Sequence, residues 1–273
     1  MPFLTVADGA SLHFNDWGAG KPVVFIHGWP LDADMWEYQA PVIAQAGYRA
    51  ITYDRRGFGR SSQPWTGYDY DTLTSDLRAL IQHLDLRDVT LVGFSMGGGE
   101  VARYMANHNG DRISKVVLLA CVTPYLLKTA DHPEGVDRSV FDGMIAGITK
   151  DRPGFLRGFG KLFYGVGVLK HPVSAEFLEW SASVAMLGSM KATVDCVRSW
   201  SETDFRANLL RIKVPTLIVH GDADATVPIK ISSDATAELL PHATYKVYEG
   251  EPHGLFYTAR DRFNEDLLAF LRG

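Results

Sequence analysis

Short apolar runs alternate with amphipathic stretches through the first half of the chain. Ser11 to Trp17, Pro22 to Ile26 and Arg49 to Tyr53 are brief, rich in β-branched and aromatic residues, and bounded by Gly, Pro or Asp, which predicts strands. Between the second and third, Met35 to Ala46 reads as a helix. Asp71 to Leu84 sets Leu73, Leu77, Leu80 and Leu84 on one stripe, the mark of a helix with one buried face. A strand at 89–92, a helix from Gly99 to His108 and a strand from Lys115 to Ala120 continue the rhythm. Runs that are apolar at every position belong to strands covered on both sides, so the pattern predicts an α/β fold with a mostly parallel central sheet flanked by helices. From about Pro124 to Trp200 the rhythm stops and helical patches rich in aromatic and small residues take over. We expect residues 124–200 to form an inserted helical cap, and residues 1–123 with 201–273 to form the core. The sheet pattern returns with Thr216 to Val219 and Thr244 to Tyr248, and a last helix, Arg260 to Arg272, aligns Phe263, Leu267, Phe270 and Leu271.

Composition narrows the function classes. A formal charge of -5 over 273 residues, with lysines and arginines scattered rather than clustered, argues against nucleic acid or an anionic membrane as partner. Small neutral substrates fit better. The two cysteines, Cys121 and Cys196, have no metal or redox spacing and are expected to be buried free thiols. No signal-like N-terminus and no apolar span of about 18 residues is present, which leads us to expect a cytoplasmic, reducing location.

The chemistry begins at Gly93-Phe94-Ser95-Met96-Gly97, which joins the strand at 89–92 to the following helix. A strand that turns sharply into a helix holds its central serine on an exposed corner, and only glycines let the backbone pass so closely. A serine hydroxyl is a weak nucleophile, so Ser95 needs a base and an acid that orients the base. In open parallel sheets reactive groups gather at the carboxyl ends of strands. His253, five residues beyond Tyr248, meets that condition, whereas His242 precedes the same strand and His13, His83, His108, His132 and His171 lie in strand, helix or cap contexts. After the strand 216–219, His220-Gly221-Asp222-Ala223-Asp224 offers two carboxylates; the first is placed to shape the turn, the second to project toward His253. A metal site made of His220, Asp222 and Asp224 lacks further ligands nearby. Amides to stabilise an oxyanion are expected from Met96, after the nucleophile, and from Trp29 in His27-Gly28-Trp29-Pro30, because Pro30 has no N–H.

These segments, together with Tyr53-Asp54-Arg55-Arg56-Gly57-Phe58-Gly59-Arg60-Ser61 and Pro252-His253-Gly254, resemble the α/β-hydrolase superfamily across essentially the whole chain. The order Ser95, Asp224, His253 is the order of that fold. Within it, Gly93-Phe94-Ser95-Met96-Gly97-Gly98-Gly99-Glu100 and the Trp29-Pro30 pair are similar to the cofactor-free bacterial haloperoxidases, or perhydrolases, and their arylesterase relatives. The resemblance implies a serine carboxylesterase for small aryl and alkyl esters, working through an acyl-enzyme without metal or cofactor and able to use hydrogen peroxide in place of water. It also implies that Pro30, by fixing its backbone, turns the Trp29 carbonyl toward the site, and that self-association into homo-oligomers is common. Val122, Phe159, Phe163 and Val227 are by resemblance the expected walls of an apolar substrate pocket, whereas for Phe141, Phe155, Tyr164 and Trp180 of the cap packing in the core is the favoured reading over a place in that wall. Such a pocket suits short acyl groups. Lactone or lactam hydrolysis would use the same apparatus, and a ligand-binding protein of this fold without catalysis is the alternative of a different class. Gly57-Phe58-Gly59 lacks the spacing of a dinucleotide fingerprint, and Asp54-Arg55-Arg56 reads as a solvated or paired charge cluster.

Overall fold

The computed structural model describes residues 2–273. Eight strands, β1 (Phe3–Thr5), β2 (Ser11–Gly18), β3 (Pro22–Ile26), β4 (Arg49–Tyr53), β5 (Val89–Phe94), β6 (Ile113–Leu119), β7 (Thr216–Gly221) and β8 (Thr244–Tyr248), form one sheet in the order β1-β2-β4-β3-β5-β6-β7-β8. β2 runs antiparallel to both β1 and β4, and every later pairing is parallel. The helices are α1 (Ala40–Gln45), α2 (Tyr70–His83), α3 (Met96–Asn107), α4 (Arg138–Phe163), α5 (Ala175–Leu187), α6 (Met190–Glu202), α7 (Arg206–Leu209), α8 (Ser233–Leu239), α9 (Leu255–Thr258) and α10 (Arg260–Arg272). No helix among the described residues is long and apolar enough to cross a membrane.

The uniformly apolar strands are explained by a two-sided core. Val24 and Ile26 of β3, Leu91 of β5, and Val116 and Leu118 of β6 face one cluster with Leu73, Leu77 and Leu80 of α2 and Val101 of α3. Their alternate neighbours Val23, Phe25, Val92, Val117 and Leu119 face a second cluster with Ile43 of α1 and Phe263, Leu267 and Leu271 of α10. Cys121 and Cys196 are buried free thiols.

Three boundaries depart from the sequence reading. β1 escapes a periodicity search because only Leu4 of its three residues is buried. Met35 to Ala46 is not one helix: a short 3-10 turn over Ala33–Trp36 precedes α1, whose Pro41 sits in the first turn, where a missing N–H is tolerated. α3 begins at Met96 rather than Gly99, because three consecutive glycines carry no hydrophobic period even though they are helical.

The segment between β6 and α7 contains α4, α5 and α6, and α4 packs against both of the others. Within α4 the backbone leaves helical geometry at Asp151, whose Oδ1 accepts the Gly154 N–H at 3.0 Å and restarts the helix around Pro153. The restart puts Phe155, Phe159 and Phe163 four residues apart on one stripe.

β3 is bonded to β4 on one side and to β5 on the other, so the chain order reverses between β3 and β5. At such a switch point the loops leave the sheet in opposite directions and open a crevice at the carboxyl ends. The segments after these two strands are His27-Gly28-Trp29 and Ser95-Met96.

Candidate active site

Ser95 occupies a left-handed conformation, φ 52 and ψ -116, directly after β5. Holding a non-glycine residue there costs about 1–3 kcal/mol. The surroundings fix it: the Ser95 N–H donates to the Leu119 carbonyl at 2.9 Å, and its carbonyl accepts the Gly98 N–H at 3.0 Å. A Cβ on Gly93 would lie 2.5 Å from the Gly97 carbonyl oxygen, and one on Gly97 would lie 2.5 Å from that of Ile26. The two flanking glycines are therefore required by close backbone passage. Ser95 stands at the N-cap of α3 but makes no side-chain cap. Its hydroxyl is left for His253, whose Nε2 is 3.0 Å from Ser95 Oγ.

His253 lies three strands away from β5 in the sheet, about 14 Å at ordinary strand spacing. The loop after β8 closes that distance by folding back over the end of β7. Ala223 N–H donates to the Glu251 carbonyl at 3.2 Å, and Gly254 N–H to the Phe163 carbonyl at 2.8 Å. A side chain on Gly221 would collide with the Glu251 carbonyl, so the crossing depends on glycine at that strand end. His253 Nδ1 then meets Asp224 Oδ2 at 2.6 Å. Asp222 turns the other way and accepts the Gly250 N–H at 2.6 Å, the turn-shaping part expected of the first carboxylate.

Burial works to raise the pKa of Asp224, but the charge and hydrogen bond of His253 and the hydrogen bond from His220 outweigh it and hold the carboxyl well below the ordinary range. Asp224 Oδ1 also accepts the N–H groups of Thr226 and Val227, each at 2.8 Å. The acid is thus ionised and fixed on both oxygens.

The two amides expected to face an oxyanion are set by the same loop logic. The Met96 N–H is the first amide of α3, where helix amides have no partner of their own. The Gly28 carbonyl is held from behind by the Leu31 N–H at 3.1 Å and by His27 Nδ1 at 2.9 Å. In a trans peptide the N–H points opposite to the carbonyl, so this grip aims the Trp29 N–H away from them. Neither the Met96 nor the Trp29 amide has a backbone acceptor among the described residues. The Arg55 N–H donates to His27 Nε2 at 2.9 Å, which leaves the His27 proton on Nδ1, facing Gly28. Burial, and then the Arg55 charge, keep His27 neutral by pushing its pKa well down.

Of the two readings of the Asp54-Arg55-Arg56 run, solvated or paired, the structure selects the paired one and supplies the partners, which the sequence did not identify. Arg55 and Arg56 are buried and paired rather than solvated: Arg55 Nε donates to Glu100 Oε1 at 2.6 Å, Arg55 Nη2 to the His27 carbonyl at 2.6 Å, and Arg56 to Asp76 at 2.6 and 2.7 Å. Glu100 was visible only as the sole charge in a glycine-rich helix start. His220, at the end of β7, enters the sequence reading only as a metal ligand and not as a partner of Asp224.

Phe163 packs edge-on against His253 with ring centroids 4.8 Å apart, and Phe159 packs against the Trp29 ring at 5.2 Å. The Trp29 ring is itself tied to α6 by Nε1 donating to the Thr193 carbonyl at 2.9 Å. Phe159 separates two cavities. One of about 470 Å³ is walled by Leu126, Phe141, Phe155, Phe159, Trp200 and Thr226. The other, about 190 Å³, lies between α4 and α5 against Pro30, Leu31, Phe163, Tyr164 and Ser181. Val122 and Val227 line neither: they are buried, and each reaches the site through its backbone N–H, Val122 to the Ser95 carbonyl at 3.3 Å and Val227 to Asp224.

Comparison with known proteins agrees with this architecture. A family model described as alpha/beta hydrolase fold matches residues 21–259. A non-heme chloroperoxidase from Kitasatospora aureofaciens is 42% identical, with 99% of each chain covered. A bifunctional esterase/perhydrolase from Acinetobacter calcoaceticus is 39% identical, with 100% of each covered. Among solved structures, a bromoperoxidase from Bacillus anthracis superposes with a TM-score of 0.94 at 50% identity, covering 97% of this chain and 96% of that one. On its sheet order, its elbow and these full-length similarities, the chain belongs to the alpha/beta hydrolase fold family and is an enzyme of that family.

Proposed function

We propose that the chain is a serine carboxylesterase for small aryl and alkyl esters and that it also catalyses perhydrolysis. The observation that carries this reading is the unbroken hydrogen-bond line from Ser95 Oγ through His253 to Asp224, at 3.0 and 2.6 Å, beside the Trp29 and Met96 amides, which have no backbone acceptor among the described residues. In the reaction, His253 Nε2 takes the hydroxyl proton as Ser95 Oγ bonds to the ester carbonyl carbon. The Trp29 and Met96 amides receive the developing oxyanion, a contribution of about 3 kcal/mol for a single donor. Collapse breaks the carbon–oxygen bond to the alcohol, which leaves with the proton from His253. Water then attacks the acyl-enzyme to give the acid, or hydrogen peroxide attacks to give the peracid, and Ser95 regains its proton in either case. A peracid released to solution transfers its terminal hydroxyl to bromide as the O–O bond breaks, giving hypobromous acid and the carboxylate. The relatives named as chloroperoxidase and as esterase/perhydrolase support the peroxide branch.

The helices of residues 124–200 serve as the cap, and the cavity of about 470 Å³ takes the apolar part of the ester, with Phe159 as its wall toward the smaller space. The modest volumes of both cavities suit short acyl groups better than long lipid chains.

The test is turnover of an acetate aryl ester by the native enzyme and by Ser95→Ala, with and without hydrogen peroxide and bromide. Native turnover, its loss in Ser95→Ala, and bromide oxidation that requires both ester and peroxide are expected. Retained hydrolysis in Ser95→Ala would remove the acyl-enzyme, and bromide oxidation independent of Ser95 would remove the peracid route.

A further inference from the structure

Asp224 does not serve His253 alone. Its Oδ2 lies 2.6 Å from His253 Nδ1 and 3.0 Å from His220 Nε2. His220 is fully buried at the end of β7. Its Nε2 also faces the Val227 carbonyl at 3.0 Å, while its Nδ1 lies 2.7 Å from Ser233 Oγ at the start of α8. A carboxylate and a carbonyl can only accept, so Nε2 carries the proton, and Nδ1 accepts the Ser233 hydroxyl. A single line of hydrogen bonds therefore runs from Ser233 through His220, Asp224 and His253 to Ser95. The carboxylate stands between two Ser–His pairs. Both end serines are buried, Ser95 after β5 and Ser233 in the first turn of α8.

We propose that His220 is a positioning residue for the esterase reaction, holding the plane of the Asp224 carboxylate and drawing charge from the oxygen that faces His253. The proposal rests on the reading of Ser95, His253 and Asp224 as the catalytic triad. The four donors on Asp224, namely His253, His220 and the Thr226 and Val227 amides, saturate a carboxylate. Removing the His220 donor leaves three. The carboxylate then gains freedom to rotate, and Oδ2 becomes more basic because one neutral donor no longer shares its charge. A more basic oxygen grips the imidazolium more tightly, so the enzyme reaches its active, unprotonated form at higher pH. The titratable groups that face Asp224 are His253, from the loop after β8, and His220, from its own strand. Asp222 and Glu251 turn instead to the Gly250 N–H and the Thr258 hydroxyl. Ser233 is the group α8 contributes, acting through His220.

His220→Gln and His220→Asn separate positioning from mere packing. Gln carries its amide nitrogen near the place of Nε2, whereas Asn reaches only the place of Nδ1. Turnover of an acetate aryl ester is followed across about pH 5 to 9, with thermal melts to verify folding and Ser95→Ala as the control. For His220→Gln we expect kcat within about threefold of native and an unmoved acid limb of kcat/KM. For His220→Asn we expect kcat lower by about 10- to 100-fold, as for loss of a hydrogen bond to a charged group, with KM little changed and the acid limb moved to higher pH. Equal profiles for the two variants would overturn the proposal, as would an acid limb unmoved in His220→Asn. If His220→Asn does not fold, His220→Gln decides: a native acid limb supports the role and a displaced one refutes it. Activity retained in Ser95→Ala would instead refute the triad, an outcome distinct from any of these.

Discussion

Asp32→Asn offers a quantitative check on the loop that carries Trp29. Asp32 is fully buried three residues beyond Trp29, and its Oδ1 caps the following 3-10 turn by accepting the Asp34 N–H at 2.9 Å. Its Oδ2 has no partner among the described residues. Burial, and then the nearby charge of Asp54, raise its pKa from an ordinary 3.8 to about 7. Between those values the folded protein binds a proton that the unfolded chain has released, so stability falls as pH rises through this window and the loss is complete above about pH 7. About three pH units at ~1.36 kcal/mol each give a penalty of about 4 kcal/mol at pH 8. Asparagine does not ionise and keeps an oxygen for the cap. The free energy of Asp32→Asn minus that of the native enzyme should therefore rise by about 1.4 kcal/mol per pH unit from about pH 4 to 7 and then level. Urea denaturation at several pH values measures this slope, and any constant cost of the new amide cancels from it. A difference that stays flat between about pH 5 and 8 would refute the reasoning.

Other expectations are equally direct. Asp224→Asn should lower kcat on an aryl ester by about 10⁴-fold, because an amide donor facing His253 Nδ1 selects the wrong tautomer; a loss below about tenfold would mean that the acid lies elsewhere. Arg55→Leu should cost about 3–5 kcal/mol in urea denaturation by stranding Glu100 without its charge partner, and Arg55→Leu combined with Glu100→Leu should cost less than Arg55→Leu alone; a greater cost in the double variant would contradict the pairing. Phe159→Ala removes the wall between cavities of about 470 and 190 Å³ and should raise the preference for bulkier esters over acetate by about tenfold in relative kcat/KM, with no change in ranking as the contrary result.

Much of this architecture is legible without coordinates because it depends on local and periodic signals. The all-apolar strands report a sheet covered on both faces, the glycines around Ser95 report a tight strand-to-helix turn, and position after a strand distinguishes His253 and Asp224 from other histidines and carboxylates. Signals fail where the period is short or the residues carry none: three residues of β1, the glycines opening α3, and a helix interrupted before Pro41. They also leave the fate of charge open. Arg55 and Arg56 read equally well as solvated or paired, and only the fold selects pairing, because their partners Glu100 and Asp76 lie 45 and 20 residues away.

The sequence by itself determined the sheet, the elbow, the order of Ser95, Asp224 and His253, and the two loops able to supply oxyanion amides, since each follows from backbone requirements or from chemistry within a few residues. Tertiary structure alone decided how those loops meet. It brings the loop after β8 across Gly221 so that His253 reaches Ser95, turns the Gly28 carbonyl onto His27, adds His220 to Asp224, and sets Phe159 at the edge of two cavities. Hydrogen-bond direction and cavity shape depend on angstrom-scale packing between segments distant in the chain, and one-dimensional patterns do not encode such distances.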